Sequence, residues 1–227
     1  MLLPQVDLSL LFPEPAAAFI ASHGGNVHRG ARITGLHRSE NGWAIAGHGD
    51  YAAVIPAVAP YHLGALLPEL GALVKHFEWE PIVTTYMRYP SGVFLDQPML
   101  GIADGVAQWL FDRGQLCGQH GLIAAVISAR GRHLDLSNEE LEATIHGEIM
   151  RIVPNLPLPL SAQTITEKRA TFACTPSLKR PAAETGLPGL CLAGDYVAGN
   201  YPATLEGAVR SGIAAAGHVL SRLQATA

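Results

Sequence analysis

The sequence predicts an α/β protein of mixed α+β character, with a strand meander near its start, a mixed or antiparallel sheet in its middle and helices between and after them. Three observations predict it. Apolar residues make up 48% of the 227 positions and charged residues 15%, enough for a sizeable core and too apolar for disorder. Alternating apolar and polar stretches of strand length are separated by turn dipeptides, of which Asn41-Gly42 is the strongest hairpin signal. Helical stretches with their own start signals lie among them, the clearest opening at Ser137. At about 150 residues per domain the length allows one large domain or two small ones.

The elements follow in chain order. Pro15 to Ser22 reads as a short helix, started by proline and ended by Gly24-Gly25. Arg32 to Arg38 alternates like a strand, Asn41-Gly42 turns the chain, and Trp43 to Ala46 returns. Gly47 to Asp50 turns again, and Ala53-Val54-Ile55 with Val58 reads as a buried strand. Pro60 to Phe77 is Ala/Leu-rich and helical, broken at Pro68 and Gly71. Pro81 to Tyr89 is a strand by its β-branched and aromatic content, and Val106 to Phe111 and Leu122 to Ser128 are two more, with Asp112-Arg113-Gly114 as a turn. Ser137-x-x-Glu140 is a capping box, and Leu141, Ile145 and Ile149 then form one apolar face. Gln163 to Phe172 is a charged strand, 176–188 a proline-containing loop, Leu190 to Ala193 a short buried strand, and Thr204 to Leu223 an Ala/Gly-rich helix.

Composition excludes several function classes. The net charge of −4 lacks the basic footprint that nucleic-acid binding needs. Cys117, Cys174 and Cys191 form neither a disulfide framework nor a zinc ribbon, which fits a reducing, cytoplasmic setting. The ten histidines are scattered with no i, i+4 pair, so no metal site is expected. His23, His37, His48 and His133 lie in polar segments and are expected in solvent, His146 at a helix surface or edge. Met1 to Leu11 lacks the marks of a signal peptide, and Pro56, Pro60 and Pro68 interrupt the uncharged stretch from Tyr51, so no spanning helix is expected. Gly47-x-Gly49-x-x-Ala52 matches a loose dinucleotide pattern, but strand residues follow it, and a tight hairpin turn is the better reading.

The stretch 190–213, LCLAGDYVAGNYPATLEGAVRSGI, carries the most specific chemistry. A short apolar strand delivers Gly194 and Asp195 to its carboxyl edge. Glycine there lets backbone approach a ligand, and the Asp195 carboxylate can accept hydrogen bonds from ligand hydroxyls. After Pro202 a helix opens at Thr204-Leu205-Glu206-Gly207, presenting unpaired N–H groups and the positive end of its dipole to an electron-rich ring edge. The same stretch also reads as strand, loop and packed helix with no ligand.

These residues resemble the C-terminal FAD motif of the amine oxidase and phytoene desaturase superfamily, with Leu192 to Asp195, Pro202 to Thr204, Glu206 to Val209, Ser211 and Gly212 in register. Thr166 to Phe172 with Pro176, Pro81 to Tyr86, and Gln108 to Gly114 are similar to a narrower group, the squalene-associated FAD-dependent desaturases or hydroxysqualene dehydroxylases. The resemblance covers nearly the whole chain and is strongest after Pro81. It implies a partial FAD-binding, Rossmann-like domain plus a substrate domain, divided as 1–59, 60–160 and 161–227, the outer two segments belonging to the FAD domain. It implies Asp195 and Gly194 beside the ribityl and phosphate region of FAD, and the amides of Thr204 and Leu205, with Glu206 and Gly207, at the N1/O2 edge. A backbone group near Ile33 would meet adenine.

Members of that group begin with a strand–G-x-G-x-x-G–helix unit, and this chain starts near the middle of their sequence. A fragment, or a chain completed by another half or by oligomerisation, is therefore expected, with weak flavin binding on its own and exposed apolar faces. The implied reaction is hydride delivery from reduced FAD to an allylic carbon of hydroxysqualene as water leaves, giving squalene for hopanoid synthesis. The Leu-, Ile-, Val- and aromatic-rich segment 60–160 suits an isoprenoid tunnel, although ordinary core explains most of it. Tyr86, Arg88, Trp109 and Arg113 are the polar candidates near a leaving hydroxyl, with no catalytic acid assigned. A carotenoid-type desaturase, an amine oxidase, or a non-catalytic isoprenoid-binding protein are the alternatives. Peripheral contact with a membrane suits the substrate, though no basic amphipathic helix marks it.

Overall fold

The computed structural model describes residues 2–226. The chain forms two compact units, residues 1–29 with 80–170 and residues 30–79 with 171–227. The expected division at 59/60 and 160/161 put 1–29 with the outer segments and 60–79 with the middle one, the reverse of their membership here. Side-chain contacts account for both. Leu63, Leu66, Leu67 and Leu70 share a core with Trp43, Leu190 and Leu192, and Arg113 pairs with Asp7 at 2.7 Å.

The first unit opens with two short helices, α1 (Leu8–Leu11) and α2 (Pro13–Ser22). Pro13 starts α2 two residues before the expected Pro15. The unit is built on a five-stranded sheet of β4 (Trp79–Arg88), β5 (Met99–Gly101), β6 (Trp109–Asp112), β7 (Leu122–Ser128) and β8 (Ser161–Phe172), in the order β5-β6-β7-β4-β8. The pairs β5–β6, β6–β7 and β7–β4 are antiparallel. One face carries Val83, Met87, Leu110, Ile123, Ala125 and Ile127 into a core with Leu141, Ile145 and Ile149 of α6 (Asn138–Met150). The Ser137 capping box is formed in both directions: Glu140 N–H donates to Ser137 Oγ at 3.2 Å, and Ser137 N–H donates to Glu140 Oε2 at 2.8 Å.

Where a turn was expected at Asp112-Arg113-Gly114, α5 (Arg113–Cys117) begins, because the Asp112 carboxylate accepts the N–H of Gln115 and caps it. Strand β5 has no counterpart in the sequence reading; three residues are too few to show alternation.

The second unit holds a three-stranded antiparallel meander, β1 (Leu36–Ser39), β2 (Gly42–Ile45) and β3 (Gly49–Tyr51), turning at Asn41-Gly42 as expected. The strand expected from Arg32 starts only at Leu36. Its partner β2 ends at Ile45, so residues 32–34 find no strand partner among the described residues. Helices α3 (Pro60–Leu66) and α4 (Pro68–Gly71) break at the anticipated Pro68 and Gly71. The strands expected at 53–58 and 190–193 shrink to isolated bridges, Val54 with Leu190 in parallel and Glu184 with Cys191 antiparallel. Three bonds remain on the parallel side: Val54 N–H to Gly189, Cys191 N–H to Val54, and Ala193 N–H to Pro56. Pro56 offers no N–H to extend them. The terminal helix is α7 (Leu205–Thr226). Among the described residues no helix is long and apolar enough to cross a membrane, and no group of three or more metal-ligating side chains occurs.

Candidate functional site

The 190–213 stretch lies wholly within the second unit. Leu190 and Leu192 are buried in its core, which fixes Gly194 at the end of the segment. Gly194 adopts φ +150°, and a β-carbon there would come within 2.5 Å of the Tyr196 ring, so only glycine fits without a shift. Its N–H donates to Ser211 Oγ at 2.8 Å, and that hydroxyl lies 2.9 Å from the Gly194 carbonyl and 2.7 Å from that of Ala208. Ser211 thus ties α7 to the Gly194 backbone.

Asp195 is half-buried, and burial pushes its carboxyl above the usual carboxylate range, against the lowering effect of the N–H groups of Asp195 and Tyr196. No cation pairs with it among the described residues. Ala203 N–H donates to the Asp195 carbonyl at 3.3 Å, which brings the head of α7 back toward the acid. Thr204 is the N-cap: its Oγ1 accepts from Gly207 N–H at 3.0 Å and donates to the Tyr201 carbonyl at 2.9 Å. A β-carbon on Gly207 would collide with the Tyr201 carbonyl oxygen. The N–H groups of Leu205 and Glu206 have no acceptor among the described residues, and Leu205 is exposed. Glu206 itself pairs with Arg210 at 2.5 Å, and the Arg210 guanidinium lies 4.7 Å over the Tyr201 ring. The result is a half-buried, unpaired acid and a helix N-terminus with two free donors, the geometry that suits a hydroxyl-bearing, electron-rich ligand. Ile33 packs against the core of the same unit, outside β1, with its own N–H and C=O unpartnered among the described residues.

The substrate candidates lie in the first unit. Thr84 and Trp109 both pair with Val126, and Tyr86 and Phe111 both pair with Ala124, while Arg88 pairs with Leu122. Directly opposed residues point to one side of a sheet, so Tyr86, Arg88 and Trp109 share the face turned away from α6. That face is largely half-buried or exposed, and Trp109 is 42% exposed. Tyr86, Arg88 and Arg113 line one groove of about 430 Å³ with Gln119 and Ile165, whereas Trp109 stands outside that groove on β6. Arg113 is held by Asp7 and by Gln119 at 3.0 Å, and the Asp7 hydrogen bond raises its guanidinium pKa.

Sequence reasoning missed three residues that shape these regions. Buried Asp112 accepts from Leu95 N–H at 2.9 Å as well as from Gln115, fixing the segment that carries Arg113. Buried Glu148 holds the N–H groups of Val106 and Ala107, bracing the strand before Trp109. His133, expected in solvent, is 7% exposed because the 3₁₀ turn Arg132–Asp135 folds it inward. Their only sequence signal was a polar residue within an otherwise apolar or turn segment. His146, expected at a surface or edge, is half-buried and bonds Tyr89 Oη at 3.0 Å.

The pattern of the flavin containing amine oxidoreductase family matches residues 9–220. Hydroxysqualene dehydroxylase of Rhodopseudomonas palustris is 34% identical over 97% of this chain and 53% of its own length, and that of Sinorhizobium fredii 33% over 97% and 52%. The chain thus spans about half the length of the curated relatives it matches. Among solved structures, putrescine oxidase bound to putrescine is similar with a TM-score of 0.65 at 17% identity, covering 93% of this chain and 53% of that one. Cyclohexylamine oxidase from Brevibacterium oxydans is similar with a TM-score of 0.64 at 16% identity, covering 85% and 48%. These likenesses show a shared fold.

Proposed function

Because the chain belongs to the family of flavin-containing amine oxidoreductases, we propose that it supplies the flavin-contacting and substrate-facing parts of an FAD-dependent enzyme that converts hydroxysqualene to squalene in hopanoid synthesis. The observation that carries the flavin half of this reading is the pair of free N–H groups at Leu205 and Glu206, joined through Ala203 to the unpaired Asp195. Asp195, with Gly194 allowing close approach, would accept hydroxyls of the ribityl chain. The head of α7 would stabilise negative charge at the N1/O2 edge of the reduced ring, which favours reduction. Ile33 would offer backbone to adenine.

FAD held by these residues would supply, in its reduced form, the hydride and proton that replace the allylic hydroxyl as it leaves as water. The open sheet face would hold the hydrocarbon, with Tyr86, Arg88 and Arg113 near the leaving hydroxyl and Trp109 as an apolar wall. In this reading a further part, on a longer polypeptide or a second subunit, completes the enzyme. It works in the cytoplasm at the membrane surface, where the isoprenoid partitions.

Flavin titration followed by fluorescence quenching tests the placement. The chain should quench FAD saturably, and Asp195→Ala should weaken binding about tenfold or more, the loss of charge-assisted hydrogen bonds. Equal affinity in the variant would remove Asp195 from the site. Squalene binding without any flavin binding would favour a non-catalytic isoprenoid carrier instead.

A further inference from the structure

The segment between Asp195 and the head of α7 has no helix or strand of its own, yet the flavin placement needs its two ends at a fixed separation. Those ends are held from within the motif. Val197 N–H donates to the Gly194 carbonyl at 3.2 Å, Ser211 grips the Gly194 backbone, and Ala203 N–H reaches the Asp195 carbonyl. The middle of the segment is held from outside it, by the dipeptide Arg180-Pro181 of the same unit.

Arg180 Nη1 donates to the Val197 carbonyl at 2.9 Å, and Nη2 donates to the Gly199 carbonyl. Ala198 N–H donates to the Pro181 carbonyl at 2.8 Å. The Val197–Ala198 peptide is thus gripped by both its oxygen and its N–H, while one guanidinium spans alternate carbonyls. The dipeptide is itself anchored. Leu192 N–H donates to the Ala183 carbonyl at 2.7 Å, and Glu184 bridges Cys191, so residues 183 and 184 run beside the segment that ends at Gly194. The proline after Arg180 disfavours helical backbone at that residue, which keeps the root of its side chain extended. Arg180 is half-buried and pairs with no carboxylate among the described residues. Its guanidinium is not among the groups that shift the Asp195 carboxyl, which are its own burial and the N–H groups of Asp195 and Tyr196. The charge therefore serves the two carbonyls, and a charged, planar donor fork holds backbone more firmly than a neutral donor.

We propose that Arg180 is a positioning residue of the flavin site: its guanidinium fork fixes the 195–203 loop, and through it the separation between the Asp195 side chain and the free amides of Leu205 and Glu206. This role rests on the flavin placement proposed above. A cofactor that touches both ends binds well only while that separation is set in advance.

Arg180→Ala removes the fork, and Arg180→Lys keeps the charge on a single-point donor. FAD affinity by fluorescence quenching, below the thermal midpoint of each variant, should fall about tenfold in Arg180→Ala, the loss of a charge-assisted pair. Arg180→Lys should remain weakened. Methylguanidinium should restore the alanine variant, since it returns the fork without the side chain. In the flavin-free chain, amide hydrogen exchange should quicken at Ala198 and Ala203 in Arg180→Ala and stay unchanged at Leu192. Exchange that quickens at all three alike, unchanged FAD affinity in Arg180→Ala, or full affinity in Arg180→Lys would overturn the role. If the unsubstituted chain itself binds no FAD, the flavin placement fails and this role falls with it. If the chain binds FAD equally with and without the fork, this role alone fails.

Discussion

At Gly194 the φ of +150° and the Tyr196 ring leave no room for a β-carbon. Gly194→Ala should therefore cost on the order of 1–3 kcal/mol, from backbone strain plus overpacking, seen as a lower urea midpoint with unchanged m-value. Asp195 makes the opposite trade. Its carboxyl titrates higher in the folded chain than in the unfolded one, so the folded state binds more protons through the carboxylate range. Its contribution is fully present below the unfolded value and is lost as pH rises through the folded one. Asp195→Asn cannot ionise, so it should be more stable than the unsubstituted chain at neutral pH, with the difference vanishing in acid. Thermal midpoints across pH check this; a variant less stable at neutral pH would show that the donors around the carboxylate outweigh its burial. His133 runs the other way. Burial lowers its folded value, with Asp135 opposing, so it erodes stability as pH falls below the ordinary histidine range.

At the scale of elements, side-chain caps mark the starts of α5, α6 and α7. The Ser137 box and the Thr204 cap use one chemistry on two helices, a hydroxyl accepting the N–H of the third helical residue. Ser137→Ala and Thr204→Ala should each cost about 1 kcal/mol. Thr204→Ala should also weaken FAD binding, since it loosens the turn that presents the Leu205 and Glu206 amides, whereas Ser137→Ala should leave flavin binding alone. Comparing the two variants by denaturation and by flavin quenching separates stability from ligand presentation. The sequence read α6 correctly because its box and its Leu141, Ile145, Ile149 face are local and mutually consistent. It misread 32–35 and 53–58 because a strand needs a neighbour. Alternation in one segment cannot reveal that β2 stops at Ile45, or that the Val54 backbone hydrogen-bonds only to Gly189 and Cys191 among the described residues.

For the whole molecule, three buried apolar clusters among the described residues underlie the fold, and the family pattern matches residues 9–220. If Asp195 and the head of α7 hold FAD, the cofactor should stabilise the fold by mass action. At a hundredfold excess over Kd that is about 2.7 kcal/mol, read as a rise in thermal midpoint. The rise should shrink in Asp195→Ala; no rise in the unsubstituted chain would mean that these residues alone do not suffice for binding.

The sequence by itself determined the resemblance to a flavin motif, because its thirteen matching positions between Leu192 and Gly212 lie close together along the chain, in one short extended segment, one loop and one helix start. It also determined the meander turn at Asn41-Gly42 and the Ser137 capping box, for the same local reason. Only the tertiary structure decided that Tyr86, Arg88 and Trp109 share one sheet face, since that depends on the register of β4, β7 and β6 across nearly fifty residues. It likewise decided that His133 is buried, with no partner for its Nε2 among the described residues, since burial depends on packing that a polar window of sequence does not hold.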